Sequence, residues 1–182
     1  MIDTVYYQVS GSTPWEWMAA APAAAAAAGI PASFQALTIS APRSTYVLRN
    51  SEFGCEARNA AVVLGISFVM PRLASDNGVS AENMTEWRRR MQSLWTHEGG
   101  HATRAMRAAA ELRDSLRVLH DPECGLLRSR LFVAQQRVTE KYRLLQADYD
   151  ARTQHGLRQG AMIIPFRGVR LAVDTTFRDT VP

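Results

Sequence analysis

The sequence predicts an α+β fold in which a small antiparallel or mixed sheet packs on a long helical hairpin. Two observations predict it. Within the first 70 residues, β-branched and aromatic residues concentrate in short segments separated by turn signals. From residue 80 to residue 149, apolar residues recur at three- and four-residue spacing, with one break at Asp121-Pro122. A chain of 182 residues can bury a substantial core as one domain.

The first elements are a strand and a helix. Residues 5–9 alternate in β-favouring side chains and stop at a Ser-Gly pair, which indicates a strand. Residues 12–14, Ser-Thr-Pro, give a helix start with a hydroxyl cap followed by an early proline. We expect this helix to be interrupted near Pro22 and to end at residues 29–31, Gly-Ile-Pro.

Three more strands follow in the first half. Residues 34–40 and 44–48 favour strands, with a turn at residues 41–43, Ala-Pro-Arg. Residues 60–70 form an apolar run rich in β-branched residues that ends at Pro71, and this run is the best candidate for a central strand.

The second half of the chain is dominated by two long helical patterns. The first occupies residues 80–119 and the second residues 127–149. Because only residues 121–125 connect them, the helices should pack antiparallel. We expect the core of the domain to span about residues 5–160. Residues 161–182 should add short strands at 162–166 and 169–173 and a polar tail.

Composition excludes several classes of protein. The formal net charge is +4, and the one basic run, residues 88–90, would point its arginines in different directions on a helix, so no nucleic-acid partner is predicted. No run of 18 apolar residues exists, so no membrane span is expected. Cys55 and Cys124 permit one disulfide or two buried thiols. The sequence carries no signal for an oligomeric state.

A metal-binding motif lies in the first long helix, at His97-Glu98-Gly99-Gly100-His101. Residues four apart on a helix share a face, with Cβ atoms about 5–6 Å apart. Two imidazoles placed in this way can reach one tetrahedral ion at about 2.0–2.1 Å. Glu98 can then take a proton from a water that the metal activates. The motif predicts a zinc hydrolase with a zincin-like fold. Its two mid-helix glycines indicate either a close approach by substrate or a neighbouring backbone, or a break in the helix.

The predicted hairpin brings a third ligand to this pair. Each arm is about twenty residues long and spans roughly 30 Å, so residues 149–156 should return beside the two histidines. His155 is the first choice as ligand, because imidazole is a common third ligand and Gly156 would permit a tight turn. Asp150 is the alternative ligand, or it acts with Thr153 in orienting a histidine. Tyr149 is placed either to stabilise a developing oxyanion or as the last core residue of its helix.

Two signatures stand complete in the chain. His-Glu-x-x-His occupies residues 97–101, and Tyr-Asp-x-x-Thr-x-His-Gly occupies residues 149–156. This combination resembles a bacterial family of unknown function (domain of unknown function 922) that has been described as predicted secreted zinc-dependent proteases, and the resemblance covers residues 5–156. It implies metallopeptidase chemistry on a peptide or protein substrate with Zn²⁺ as cofactor. It also implies a secreted or periplasmic location, with the leader removed.

Within that resemblance, the two cysteines are expected to form a disulfide. A Cys55–Cys124 bridge would attach the turn of the hairpin to the sheet and close a loop of about seventy residues. Arg104 and Arg107 stand where metzincins have a glycine and a third histidine, which excludes that arrangement. Two other functions remain open: a zinc-binding periplasmic scaffold or binding protein without catalysis, and a metal-free helical interaction module.

Overall fold

The structure is a computed structural model that describes residues 1–31 and 35–161. It has the predicted α+β composition. The elements are β1 (Ile2–Val9), α1 (Pro14–Ala27), β2 (Leu37–Ser51), β3 (Gly54–Leu73), α2 (Ala81–Val118), β4 (His120–Asp121), α3 (Cys124–Thr153) and a 3-10 turn (Leu157–Gln159). The strands and tail predicted after residue 161 lie outside the described residues.

The sheet is small and mixed, with β3 at its centre as predicted. The strand order is β1-β3-β2, and the short β4 also pairs with β3 in antiparallel register. Ile66 N donates to Met1 O, and Ala74 N donates to Val9 O, so the residue numbers of β1 and β3 rise together and the two strands are parallel. β2 and β3 are joined by two residues and are therefore antiparallel.

Three local predictions are wrong, each at a proline. The turn expected at residues 41–43 is absent, and β2 runs through Pro42, because a strand at the edge of a sheet tolerates a residue without an N–H. β3 likewise continues past Pro71 to Leu73. α1 passes through Pro22 without a break. There the burial of Trp17, Ala21 and Ala25 on one helix face favours an intact helix.

Among the described residues, one compact unit contains residues 3–31 and 35–39, Ser67–Gly100 and residues 149–161. Its core places the ring of Trp17 edge-to-face on Trp87, with centroids 5.1 Å apart. The predicted hydroxyl cap of α1 is Thr13, which also forms a capping box with Glu16. Ser80 caps α2 with its side chain, whose Oγ accepts from Asn83 N at 3.1 Å.

The other compact unit contains Met1–Ile2, Ser40–Ile66 and His101–Asp148. Leu116, Leu127 and Leu131 form the centre of its core with Cys55. The predicted disulfide between Cys55 and Cys124 is present, with Cα atoms 5.1 Å apart. Within this unit α2 and α3 are antiparallel. Lys141 of α3 contacts Glu111 of α2, and the later Gln146 contacts the earlier His101. None of the helices in the described part of the chain has the apolar length needed to cross a bilayer.

Candidate metal centre

Helix α2 supplies the first part of the site. It is continuous from Ala81 to Val118, so His97 and His101 lie one turn apart on one face. His97 and Glu98 are almost fully buried, at 5 % and 3 % exposure. Buried polar side chains need partners inside the protein, and the end of α3 provides several of them.

The chain reverses at the end of α3 through three residues in the left-handed region. Gln154, His155 and Gly156 have φ angles of 50°, 51° and 82°. His155 N donates to Asp150 O at 2.9 Å, which closes the turn. A Cβ on Gly156 would lie 3.1 Å from Cγ of His97, so the glycine permits a close approach as well as the turn. The reversal brings the 3-10 turn back against His97.

Three side chains converge with the spacing that a metal ion requires. The potential ligand atoms of His97, His101 and Asp150 all lie within 4.8 Å of one another. Nε2 of His97 lies 3.2 Å from Oδ1 of Asp150. Two ligands about 2.0–2.1 Å from a tetrahedral ion are about 3.3 Å apart, so this separation fits zinc.

His155, the first choice for a third ligand, lies beside this group. Its Nδ1 is 3.6 Å from the same Oδ1 of Asp150, and its side chain is 54 % exposed. The convergent group contains Asp150, the alternative that the sequence had left open. Ligation by His155 stays a prediction.

A glutamine side chain lies within hydrogen-bonding distance of Nδ1 of each imidazole. Gln159 Oε1 lies 3.0 Å from His97 Nδ1, and Gln146 Oε1 lies 2.6 Å from His101 Nδ1. Gln146 Nε2 donates to the carbonyl oxygen of His101 at 3.1 Å. Because that carbonyl only accepts, the amide of Gln146 has one possible orientation, and Nδ1 of His101 must carry the hydrogen.

The same reasoning fixes His97. Tyr149 Oη donates to the carbonyl oxygen of His97 at 3.2 Å and accepts from Gln159 Nε2 at 3.1 Å. Gln159 Oε1 therefore faces Nδ1 of His97, which carries the hydrogen. Nε2 of His97 then faces the carboxylate of Asp150 at 3.2 Å. Either a proton on Nε2 or a metal cation between the two atoms would join them. Hydrogen bonds to the second ring nitrogen, like those of Gln159 and Gln146, orient histidines that bind metals.

Tyr149 packs behind the histidine pair. Its side chain is fully buried, and its ring stacks on that of His97 with centroids 5.1 Å apart and planes inclined by 13°. A Cβ on Gly100 would lie 2.8 Å from Cε1 of Tyr149 and closer still to Cζ and Oη. A neighbouring side chain, rather than substrate or backbone, therefore accounts for Gly100. The oxyanion role of Tyr149 stays a prediction.

Thr153 also contacts His97 from inside the protein. Its Oγ1 donates to Tyr149 O at 2.8 Å and lies 3.4 Å from His97 Nδ1. Thr153 is 0 % exposed. Its hydroxyl helps to fix the last turn of α3 against the His97 ring, and its role in orienting a ligand stays a prediction.

Glu98 faces a cavity of about 270 Å³ next to His97. Thr38 of β2 donates from Oγ1 to Glu98 Oε2 at 2.6 Å and so fixes the carboxylate. The cavity is lined by Gln35, Ala36, Leu94, His97, Glu98, Gln154, His155, Leu157 and Ala161.

Sequence reasoning missed three supporting residues. Gln146 had a usable signal, because it lies four residues before Asp150 on the same face of α3. Thr38 and Gln159 had none, since their positions depend on the path of β2 and on the left-handed turn after α3.

Comparison with known proteins identifies one family. The family described as "Bacterial protein of unknown function (DUF922)" matches residues 4–156. This range includes both signatures and agrees with the resemblance seen in the sequence. No curated protein and no solved structure matches the chain.

Proposed function

We propose, on the premise that the chain belongs to the DUF922 family of bacterial proteins of unknown function, that it is a zinc-dependent hydrolase. The favoured reaction is cleavage of an amide bond in a peptide or protein. The observation that carries the proposal is the convergence of His97, His101 and Asp150, whose potential ligand atoms all lie within 4.8 Å of one another. Glu98 lines the cavity beside this group.

His97, His101 and Asp150 would hold the zinc ion. Two imidazole nitrogens and one carboxylate oxygen form a common ligand set for a catalytic zinc, which has three protein ligands and one open position. When bound, zinc supplies Lewis-acid chemistry, lowering the pKa of water toward neutrality and polarising a carbonyl group. Gln146 and Gln159 keep the imidazoles in the tautomer and orientation that this requires.

Glu98 would act as the general base. Its Oε2 is engaged by Thr38, so the proton of the attacking water passes to Oε1. Glu98 then delivers this proton to the nitrogen of the leaving amine. The fixed carboxylate and the cavity beside it support this role, because a general base must reach its proton in a defined geometry.

The zincin-like fold and the secreted or periplasmic location belong to the same proposal. A helix that carries His-Glu-x-x-His beside a small mixed sheet supports the fold. The Cys55–Cys124 disulfide supports export, because disulfides persist in oxidising compartments.

The direct test replaces Glu98 by glutamine, which keeps the size of the side chain and the contact with Thr38. We expect hydrolysis of fluorescein-labelled casein to fall by about 10²-fold or more while zinc remains bound. Glu82→Gln is the matched control, since Glu82 lies exposed in the first turn of the same helix. Equal activity of the Glu98 variant and wild type would exclude Glu98 as the base.

A second candidate function is a zinc-binding protein without catalysis. One observation favours it: His155 Nδ1 lies 3.6 Å from Oδ1 of Asp150, next to the group of three, and structural zinc sites have four ligands. A closed site predicts that His155→Ala weakens zinc binding about as much as His101→Ala does. An open, catalytic site predicts that His155→Ala retains the zinc.

A further inference from the structure

We infer that Gln35 binds the substrate, with its side-chain amide N–H donating to a backbone carbonyl oxygen of a peptide in the cavity beside Glu98. The inference rests on the proposed function and adds a recognition residue to it. Gln35 lies outside both sequence signatures, and it lines the cavity together with Leu94, His97 and Glu98.

Two hydrogen bonds hold Gln35 in the cavity wall. Tyr7 Oη donates to the backbone carbonyl oxygen of Gln35 at 2.7 Å. Arg90 Nη2 donates to its side-chain Oε1 at 2.9 Å. Since a guanidinium has only donors, the amide must turn its oxygen toward Arg90, and its orientation is fixed. Nε2, with its two N–H groups, is the end of the amide left for a ligand.

Arg90 makes that amide a stronger donor. The side chain is 1 % exposed and lies over the ring of Trp87, and its Nε and Nη1 have no hydrogen-bond acceptor within the part of the chain that the structure describes. Burial lowers the pKa of Arg90 to about 10, so it is still a cation at neutral pH. A cation on the oxygen of an amide polarises the group and strengthens its N–H donors.

The position of Gln35 fits a peptide that reaches Glu98. Arg90, Leu94 and His97 follow one another on one face of α2, and Arg90 precedes His97 by seven residues, or about 10 Å along the helix. An extended peptide advances about 3.3 Å per residue, so Gln35 would contact it within about three residues of the cleaved bond. The neutral N–H donor of Gln35 matches a backbone carbonyl oxygen, which every peptide residue carries. We therefore expect peptide binding to depend little on which side chain that residue has.

The Gln35→Glu variant tests whether Gln35 binds the peptide or only serves as a hydrogen-bond partner for Arg90. Glutamate keeps an oxygen for Arg90 and adds a charge that pairs with it, so the variant should fold with a melting temperature at or above that of wild type. It replaces the N–H donors with an acceptor that repels a carbonyl oxygen. Gln92→Glu is the matched control, because Gln92 is exposed on α2 and does not line the cavity.

The experiment measures binding of two probes to zinc-loaded protein by calorimetry. Acetohydroxamate binds the metal alone, while a tripeptide hydroxamate adds backbone carbonyls. We expect Gln35→Glu to weaken the tripeptide hydroxamate by about tenfold or more relative to acetohydroxamate, with Gln92→Glu at wild-type affinity for both. Gln35→Met, which lacks the donor and adds no charge, should show the same loss in smaller degree.

Several results would overturn the inference. If Gln35→Glu binds both probes like wild type, Gln35 serves only as a partner for Arg90. If it weakens both probes equally, Gln35 acts on the metal site and not on the peptide. If wild type binds neither probe, the proposed zinc function has failed, and the role of Gln35 fails with it.

Discussion

The two adjacent glycines of the helical motif differ in what surrounds them, and a matched pair of substitutions tests the site. A Cβ on Gly100 overlaps the buried ring of Tyr149, whereas a Cβ on Gly99 has no atom within 4 Å among the described residues. Gly99→Ala therefore changes only helix propensity. Gly100→Ala makes the same chemical change and also displaces the residue that stacks on His97.

The magnitude follows from opposing contributions. Alanine favours a helix interior by about 1 kcal/mol relative to glycine. At residue 100, overpacking costs about 1–3 kcal/mol, and loss of the hydrogen bond from Tyr149 to the carbonyl of His97 costs about 1 kcal/mol more. Gly100→Ala should thus destabilise the fold by about 1–3 kcal/mol, while Gly99→Ala should stabilise it by up to about 1 kcal/mol.

Thermal unfolding followed by circular dichroism measures the difference. The two variants differ by about 1–4 kcal/mol, and for a chain of this size 1 kcal/mol corresponds to about 2–4 °C, so their melting temperatures should differ by about 2–16 °C. Zinc affinity should fall in Gly100→Ala alone, because the stacked ring positions His97. Equal melting temperatures and equal zinc affinities for the two variants would refute the proposed packing of Tyr149 against the motif.

Three further predictions concern the support of the site and the fold. Gln146→Leu should weaken zinc binding by about 10–100-fold, because it removes the partner that orients His101. Titration with a competing chelator measures the zinc affinity, and an unchanged affinity would contradict this prediction. Cys55→Ala combined with Cys124→Ala should lower the free energy of unfolding by about 4 kcal/mol, since the bridge closes a loop across 69 positions; urea denaturation checks this, and a change below about 1 kcal/mol would count against it. Removing zinc with a chelator should lower the melting temperature, and adding zinc back in excess should restore it; no shift in either direction would show that the folded protein does not bind zinc.

Local patterns in the sequence predicted the part of the site that depends on local geometry. His97, Glu98 and His101 needed only the period of a helix. The return of residues 149–156 needed only two helix lengths and a short connection. The central strand of the sheet followed from the apolar run before Pro71.

The remaining features depend on contacts between distant segments. Pro42 does not end β2, because the strand lies at the edge of the sheet, and a strand order cannot be read from the proline itself. Asp150 rather than His155 joins the histidine pair because two non-glycine residues turn into the left-handed region after α3 and leave His155 half exposed. No periodic pattern in the sequence predicts that turn. Gln159 reaches His97 only because the chain turns there.

The most direct measurement is the zinc content of untagged protein after dialysis, determined by mass spectrometry for wild type and three variants. Wild type, Glu98→Gln and His155→Ala should each retain about one zinc ion per chain. Asp150→Ala should lose the ion, because Asp150 is the carboxylate of the group formed with His97 and His101. Wild type without zinc would contradict the account. Zinc retained in Asp150→Ala but lost from His155→Ala would contradict the ligand set.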